Sequence, residues 1–207
     1  QNFLDVDPHF GTRDDLKDLV DVAHAHNIRV ILDIILNHTG NVFSYVYNPD
    51  RYPITDKNGT VIGMDPRWDR NFYPVQGFND KEGNPTIPFI AGPHPNTDEK
   101  DALWPEEFQK PQHFQQKGRI NSWDYYPEYV EGDFCDLKEI RLGDGSINHY
   151  APSEALTLLC DVYKFWIAFA DVDGFRVDTV KHMDKGAARF FTSVIHEFTQ
   201  TIGKENF

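Results

Sequence analysis

Cysteine is nearly absent from this chain of 207 residues. The two present, Cys135 and Cys160, lack the close spacing of a metal-binding pair. They are too few to frame a disulfide-built fold or to mark a redox compartment. No apolar run reaches the length of a membrane span. No signal-peptide pattern opens the chain, which begins at Gln1 without a methionine. We expect a soluble chain and assign it no compartment. Basic charge is also short: 20 Lys and Arg against 33 Asp and Glu leave a net −13. A nucleic-acid partner wants a basic face, as does an anionic membrane surface, so neither partner is expected. A neutral substrate suits the charge better than an acidic one. Gly-rich phosphate loops, serine–histidine hydrolase motifs, internal repeats and low-complexity tracts are all missing.

What is present is a packed core, with 40% apolar residues, and a clear change of character along the chain. Thr12 opens a helix with Asp15 placed for a capping-box contact, and Leu16, Leu19, Val20 and Ala23 form its apolar stripe. Asn27 is the expected stop. Residues 28–36 are almost continuously apolar, as in a parallel strand covered on both faces. Residues 39–148 hold 11 of the 13 prolines and 17 of the 29 aromatics. Helical periodicity is poor there, and the turn pairs Asn58 with Gly59 and Asp144 with Gly145 punctuate it. So long a stretch without packing of its own would be improbable in a compact domain, which argues for an inserted subdomain of short strands. After Pro152 and Ser153 a helix returns, with Leu156, Leu159, Tyr163, Trp166 and Ala170 on one stripe. A strand over 172–178 follows, then a helix over about 185–201 with Phe190, Phe191, Val194, Ile195 and Phe198 inward. Strands alternating with helices suggest parallel βα units.

Chemistry concentrates at the ends of the two apolar strands. Arg176 and Asp178 stand two residues apart, so a strand points both to one face. A guanidinium beside a carboxylate favours its charged form, which a glycosidase nucleophile needs. Alone, the pair reads equally as a structural ion pair closing a buried strand. Lys181 and His182 follow at once and could line the same mouth. At the first strand end come Asp33, Asn37 and His38. Asp33 inside an apolar run is costly unless paired, so it is either a buried anchor or part of the site.

These two clusters, in this order, resemble the α-amylase family of glycoside hydrolases (family 13). The matching residues are Asp33, Asn37 and His38, then Gly174, Arg176, Asp178, Lys181 and His182. Residues 6–12 also resemble the family's segment before the second barrel helix. The resemblance implies an α/β fold: part of a (β/α)8 TIM barrel, about strands 3 and 4 with flanking helices. The barrel segments would be residues 1–38 and 149–207, and residues 39–148 would be the inserted domain B-like subdomain. It implies that Asp178 is the nucleophile, that Arg176 holds it ionised and oriented, and that His38 hydrogen-bonds the sugar where cleavage occurs. Lys181 and His182 would contact the sugar on the leaving-group side, and Asp33 would be mainly structural. Asn37, Asp136 and the backbone carbonyl of His182 are the implied donors for a candidate structural Ca²⁺. Asp136 lies in a short motif, Cys135, Asp136 and Leu137, where the family usually has Pro in place of Cys135.

Retaining glycosidases need a second carboxyl as general acid. In the family it is a Glu on the fifth strand, and neither Glu197 nor Glu205 matches that context. The resemblance therefore implies part of a retaining enzyme acting on α-glucans such as starch or malto-oligosaccharides, with this polypeptide inactive by itself. Transglycosylation or isomerisation would use the same nucleophile. Two other classes compete: a catalytically silent sugar-binding relative, and an unrelated barrel enzyme using Asp33, His38 and Asp178 around a metal.

Weaker signals read as surface or packing. His24 and His26 lie on different helix faces and are expected to be solvated. Trp68, Trp104, Trp123, Tyr125 and Tyr126 suit core packing of the subdomain as well as sugar stacking.

Overall fold

A computed structural model describes residues 1–46, 52–55, 61–80, 85–87 and 102–207. Asn58 and Gly59 lie outside the described residues. In chain order the elements are helix α1 (Arg13–Ala25) and strands β1 (Ile31–Ile34), β2 (Phe43–Tyr45), β3 (Tyr52–Thr55), β4 (Val61–Asp65), β5 (Val75–Asn79) and β6 (Pro85–Ile87). Then follow the short helix α2 (Glu128–Glu131), strands β7 (Gly143–Ser146) and β8 (His149–Pro152), helix α3 (Glu154–Ala170), strand β9 (Gly174–Val177) and helix α4 (Lys185–Thr201). The chain divides into two compact units. A helical unit comprises Asn2–Leu36 and Leu142–Phe207, and an irregular unit comprises Gln1 and Asn37–Arg141. Residues 142–148 thus belong with the helices. Among the described residues, no helix is long and apolar enough to cross a membrane.

In the helical unit, α1 starts where its sequence says it should. Thr12 accepts from the Asp15 N–H, and the Asp15 carboxylate accepts from the Thr12 N–H, completing a capping box. Its apolar stripe is narrower than the spacing suggests: Val20 is fully buried, but Leu19 is 57% exposed. Ser153 caps α3 by accepting from the Leu156 N–H. The whole stripe of Leu156, Leu159, Tyr163, Trp166 and Ala170 is buried. Each Leu so buried contributes about 1.5–3 kcal/mol. Helix α3 packs against α1 and α4, and Phe191 meets Tyr163 edge-on at 5.7 Å. Gly186 is required where α4 meets β8, since a Cβ there would run into the Tyr150 ring. Strands β7 and β8 form a hairpin that turns at Ile147 and Asn148. Asp144 and Gly145 therefore lie within a strand, one step before the turn, because Ser146 still pairs with His149.

Strands β1 and β9 pair in parallel, from Ile31 opposite Gly174 to Ile34 opposite Val177. Tyr163 on α3 donates to the Ile35 carbonyl at 2.7 Å, and burial pushes its phenol pKa up. Coverage of β1 on both faces is not met. Ile34 and Leu36 are buried, whereas Ile31 and Asp33 are exposed. Successive strand residues point to opposite faces, and within this unit only one face of β1 is covered. His24 departs from the solvated surface role as well. Its Nε2 lies 2.8 Å from Asp173 Oδ2, and that same oxygen accepts from the Val30 N–H. The pair ties α1 to the start of both parallel strands.

In the irregular unit, β2, β5 and β6 form an antiparallel sheet and β3 pairs with β4. Phe43, Phe78, Phe108 and Phe114 are fully buried, with Phe43 edge-on to Phe114 at 5.2 Å. Buried polar side chains fill the rest. The Glu128 carboxylate accepts from the Ser122 N–H at 2.6 Å, and Asp133 accepts from the Tyr45 hydroxyl at 2.6 Å.

Candidate active site

The parallel register sets Asp33 directly opposite Arg176, and alternation returns Asp178 to the same face as Arg176. Arg176 Nη1 donates to both Asp33 oxygens, at 3.0 and 2.9 Å, and lies 3.0 Å from Asp178 Oδ1. One guanidinium nitrogen thus bridges two carboxylates. All three side chains are substantially exposed, so Asp33 is no buried anchor but a member of the cluster. The Asp33 hydrogen bond first, then the charges of Asp178 and Asp33, raise the Arg176 pKa further above its ordinary value.

The backbone after this strand is strained. The Asp178 N–H still donates to the Ile34 carbonyl at 2.8 Å, which holds Asp178 against the end of β1. The next residue, Thr179, has φ 53° and ψ 26°. A β-branched residue in the left-handed region is a true outlier, and such strain collects at functional sites. A single 3₁₀ turn over Val180–His182 follows, leaving Lys181 exposed and the His182 side chain buried. Arg176, Asp178, Lys181 and His182 all belong to the helical unit.

Asn37, His38 and Asp136 belong to the irregular unit. Residues 37–39 pair with 138–140: Thr39 N–H donates to the Lys138 carbonyl at 2.9 Å, and Ile140 N–H donates to the Asn37 carbonyl at 2.6 Å. His38 stands opposite Glu139 in an antiparallel bridge. Asn37 Nδ2 donates to Glu139 Oε2 at 3.2 Å, and Asn37 Oδ1 is 3.1 Å from His38 Nδ1. The Phe134 ring stacks on His38 at 5.3 Å and 18°, and Trp123 meets Phe134 edge-on at 4.8 Å. Glu139 and Phe134 escape sequence reasoning. Their only signal is that they flank the short motif of Cys135, Asp136 and Leu137.

Asp136 is exposed, in a tight turn in which Phe134 bridges Leu137. Cys135 within it has φ 64°. A proline, locked near φ −65°, could not take that backbone, which accounts for the departure at this position. Of the candidate Ca²⁺ donors, Asn37 is buried with its Oδ1 3.1 Å from His38 Nδ1, Asp136 is exposed in the same unit, and His182 belongs to the helical unit; Ca²⁺ takes six to eight oxygens, more than these three supply. Among the described residues, no three His, Cys, Asp or Glu side chains group as metal ligands. Trp123, Tyr125 and Tyr126 are exposed, so packing does not account for them fully, while Trp68 and Trp104 are half-buried.

Comparison with known proteins gives a consistent result. The family model described as alpha amylase, catalytic domain, matches residues 1–202. An alpha-amylase of Streptomyces lividans is 27% identical over 100% of this chain and 21% of its own length. A cyclomaltodextrin glucanotransferase of Klebsiella oxytoca is likewise 27% identical, over 100% of this chain and 24% of its own. The crystal structure of an alpha-amylase from Geobacillus thermoleovorans, complexed with acarbose, superposes with a TM-score of 0.58 at 26% identity, covering 100% of this chain and 31% of that one. The chain therefore spans about a quarter or less of the curated relatives it matches.

Proposed function

The chain belongs to the alpha-amylase family, and from that premise we propose that the protein carrying it is a retaining glycosidase acting on α-glucans. In this reading β1 and β9 are neighbouring strands, the third and fourth, of a (β/α)8 barrel. The irregular unit, from Asn37 to Arg141, is the subdomain inserted between them. Asp178 attacks the anomeric carbon as that carbon's bond to the leaving-group oxygen breaks, the departing oxygen taking a proton from the general acid; water then cleaves the glycosyl ester so formed and frees Asp178. Arg176 holds the Asp178 carboxylate in place and offsets its charge. Asp33 anchors Arg176 from the other strand. His38 hydrogen-bonds the sugar undergoing cleavage, and Lys181 and His182 contact the leaving-group side.

The observation that carries this reading is the single Arg176 nitrogen shared by Asp33 and Asp178 at adjacent strand ends. An exposed carboxylate held by an arginine beside a strained backbone suits a nucleophile that must reach substrate. The general acid is assigned to no residue of this chain, and the 207 residues alone are expected to show no turnover. In the full-length protein, Asp178→Asn should lower kcat on malto-oligosaccharides by more than about a thousandfold, the scale of losing a covalent nucleophile. Its thermal unfolding should change little. Undiminished turnover in that variant would contradict the assignment.

A second reading shares the nucleophile. The cyclomaltodextrin glucanotransferase matches this chain at the same identity as the amylase, which supports transfer to another sugar as well as hydrolysis. Chromatography of early products separates the two, since transfer lengthens or cyclises the glucan.

A further inference from the structure

We propose that Trp123, Tyr125 and Tyr126 form an aromatic platform on the irregular unit that binds the glucose rings of an α-glucan chain. The proposal rests on the α-glucan reading above and adds a surface that grips the polymer itself. The three rings fall within four consecutive residues and are 38%, 48% and 65% exposed. Leaving so much apolar area in water is unfavourable, and clustered exposure of this kind marks an interaction site. The turn that carries the rings is held from within. The buried Glu128 carboxylate accepts from the N–H groups of both Asn121 and Ser122, and the Tyr129 N–H donates to the Tyr125 carbonyl at 3.1 Å.

Each exposed ring is also backed by a half-buried one. Trp123 meets Phe134 edge-on at 4.8 Å, Tyr125 meets Trp68 at 6.3 Å and Tyr126 meets Tyr129 at 6.1 Å. Phe134 in turn stacks on His38, so the aromatic surface runs on to the imidazole assigned to the sugar. Rings fixed before a ligand arrives lose little freedom when it binds. A pyranose carries C–H groups on its faces and hydroxyls around its rim. Its C–H groups suit the electron-rich face of an aromatic ring, while its hydroxyls stay in water. The single charge among residues 121–127 is Asp124, so the surface disfavours a polyanion and suits a neutral chain such as a glucan.

The test is hydroxyl-radical footprinting of the full-length protein with and without maltoheptaose, in the Asp178→Asn background so that the sugar stays intact. Tyr125 and Tyr126 should be oxidised more slowly with the sugar present. Calorimetric titration supplies the second readout: Tyr126→Ala should weaken maltoheptaose binding by about tenfold, the scale of one aromatic contact, and Tyr126→Phe, which keeps the ring, should stay within about twofold. Should Tyr126→Ala fail to fold, the footprint decides by itself. Unchanged oxidation of both tyrosines at saturating maltoheptaose would overturn the platform, as would an equal loss of affinity in Tyr126→Phe and Tyr126→Ala. Protein that maltoheptaose does not bind at all would overturn it too, leaving the rings as a surface for another chain. Both readouts report binding, so their failure is distinct from failure of the glycosyl ester on Asp178, which is read by adduct formation in the unsubstituted protein.

Discussion

The helical unit and the irregular unit satisfy their backbones in opposite ways. In the helical unit, helices and a parallel pair of strands consume the N–H and C=O groups, and the core between them is apolar. Its buried polar side chains among the described residues are His182 and Thr199. In the irregular unit the same residues set includes Asn37, His38, Thr39, Asn79, Gln109, His113, Glu128, Asp133, Lys138 and Glu139. Short strands and turns leave backbone groups without ladder partners, and buried groups of that kind must be satisfied. Side chains do it there. Gln109 donates to the Leu103 carbonyl at 2.8 Å, Asn79 donates to the Asn41 carbonyl at 3.0 Å, and Glu128 accepts from Ser122. Irregular backbone thus brings polar groups into a core, as where Asn37 lies between Glu139 and His38. The helical unit instead keeps its charged cluster of Asp33, Arg176 and Asp178 on an exposed strand face.

That contrast predicts unequal sensitivity to losing a polar group. The largest effect on stability is expected at Asp133, which accepts from Tyr45 and from the Glu139 N–H and lies 3.8 Å from the fully buried Lys138 amine. Asp133→Ala removes the carboxylate that faces that amine beside Phe43 and Tyr45 and should cost about 3–5 kcal/mol, read by denaturant unfolding of the full-length protein. A loss under about 1 kcal/mol would show that the buried charges are not what holds this unit together. Glu128→Ala comes next. It leaves the Ser122 N–H without its carboxylate and should cost about 1–3 kcal/mol, checked in the same way.

The smallest effect belongs to the helical unit. Burial opposes charge on Asp173, but hydrogen bonds from His24 and the Val30 N–H, with the charges of His24 and Lys204, outweigh it and lower its pKa. A carboxyl whose folded value is depressed stabilises above its unfolded value, near about 3.9. That contribution is lost as pH falls through the folded value. Asp173→Asn should therefore flatten the acid limb of the stability profile below about pH 4 and shift the neutral plateau only modestly. An unchanged acid limb would break the assignment.

Legibility in the sequence follows the same division. Thr12 with Asp15, the α3 stripe and the limits of α4 are visible because their partners lie three or four residues away. Leu19 misleads because spacing shows which residues share a face but not how wide the covered part is. The link of His24 to Asp173 spans 149 residues and that of Asn37 to Glu139 spans 102, and no local pattern announces them. The Arg176 and Asp178 pair was legible from strand alternation. For Asp33 the sequence leaves a buried anchor and a site residue both open, because its run of neighbours is apolar while its own face is exposed. Asp144 and Gly145 read as a turn pair, yet the pairing register continues past them to Ser146 and His149.

The most direct measurement is mass spectrometry of the full-length protein after brief exposure to an activated maltosyl fluoride and acid quench. A maltosyl adduct mapped to a peptide containing Asp178, and absent in Asp178→Asn, is the predicted result. Turnover of the fluoride without any adduct on Asp178, or an adduct on another carboxylate, would contradict the role assigned to the Arg176-held carboxylate.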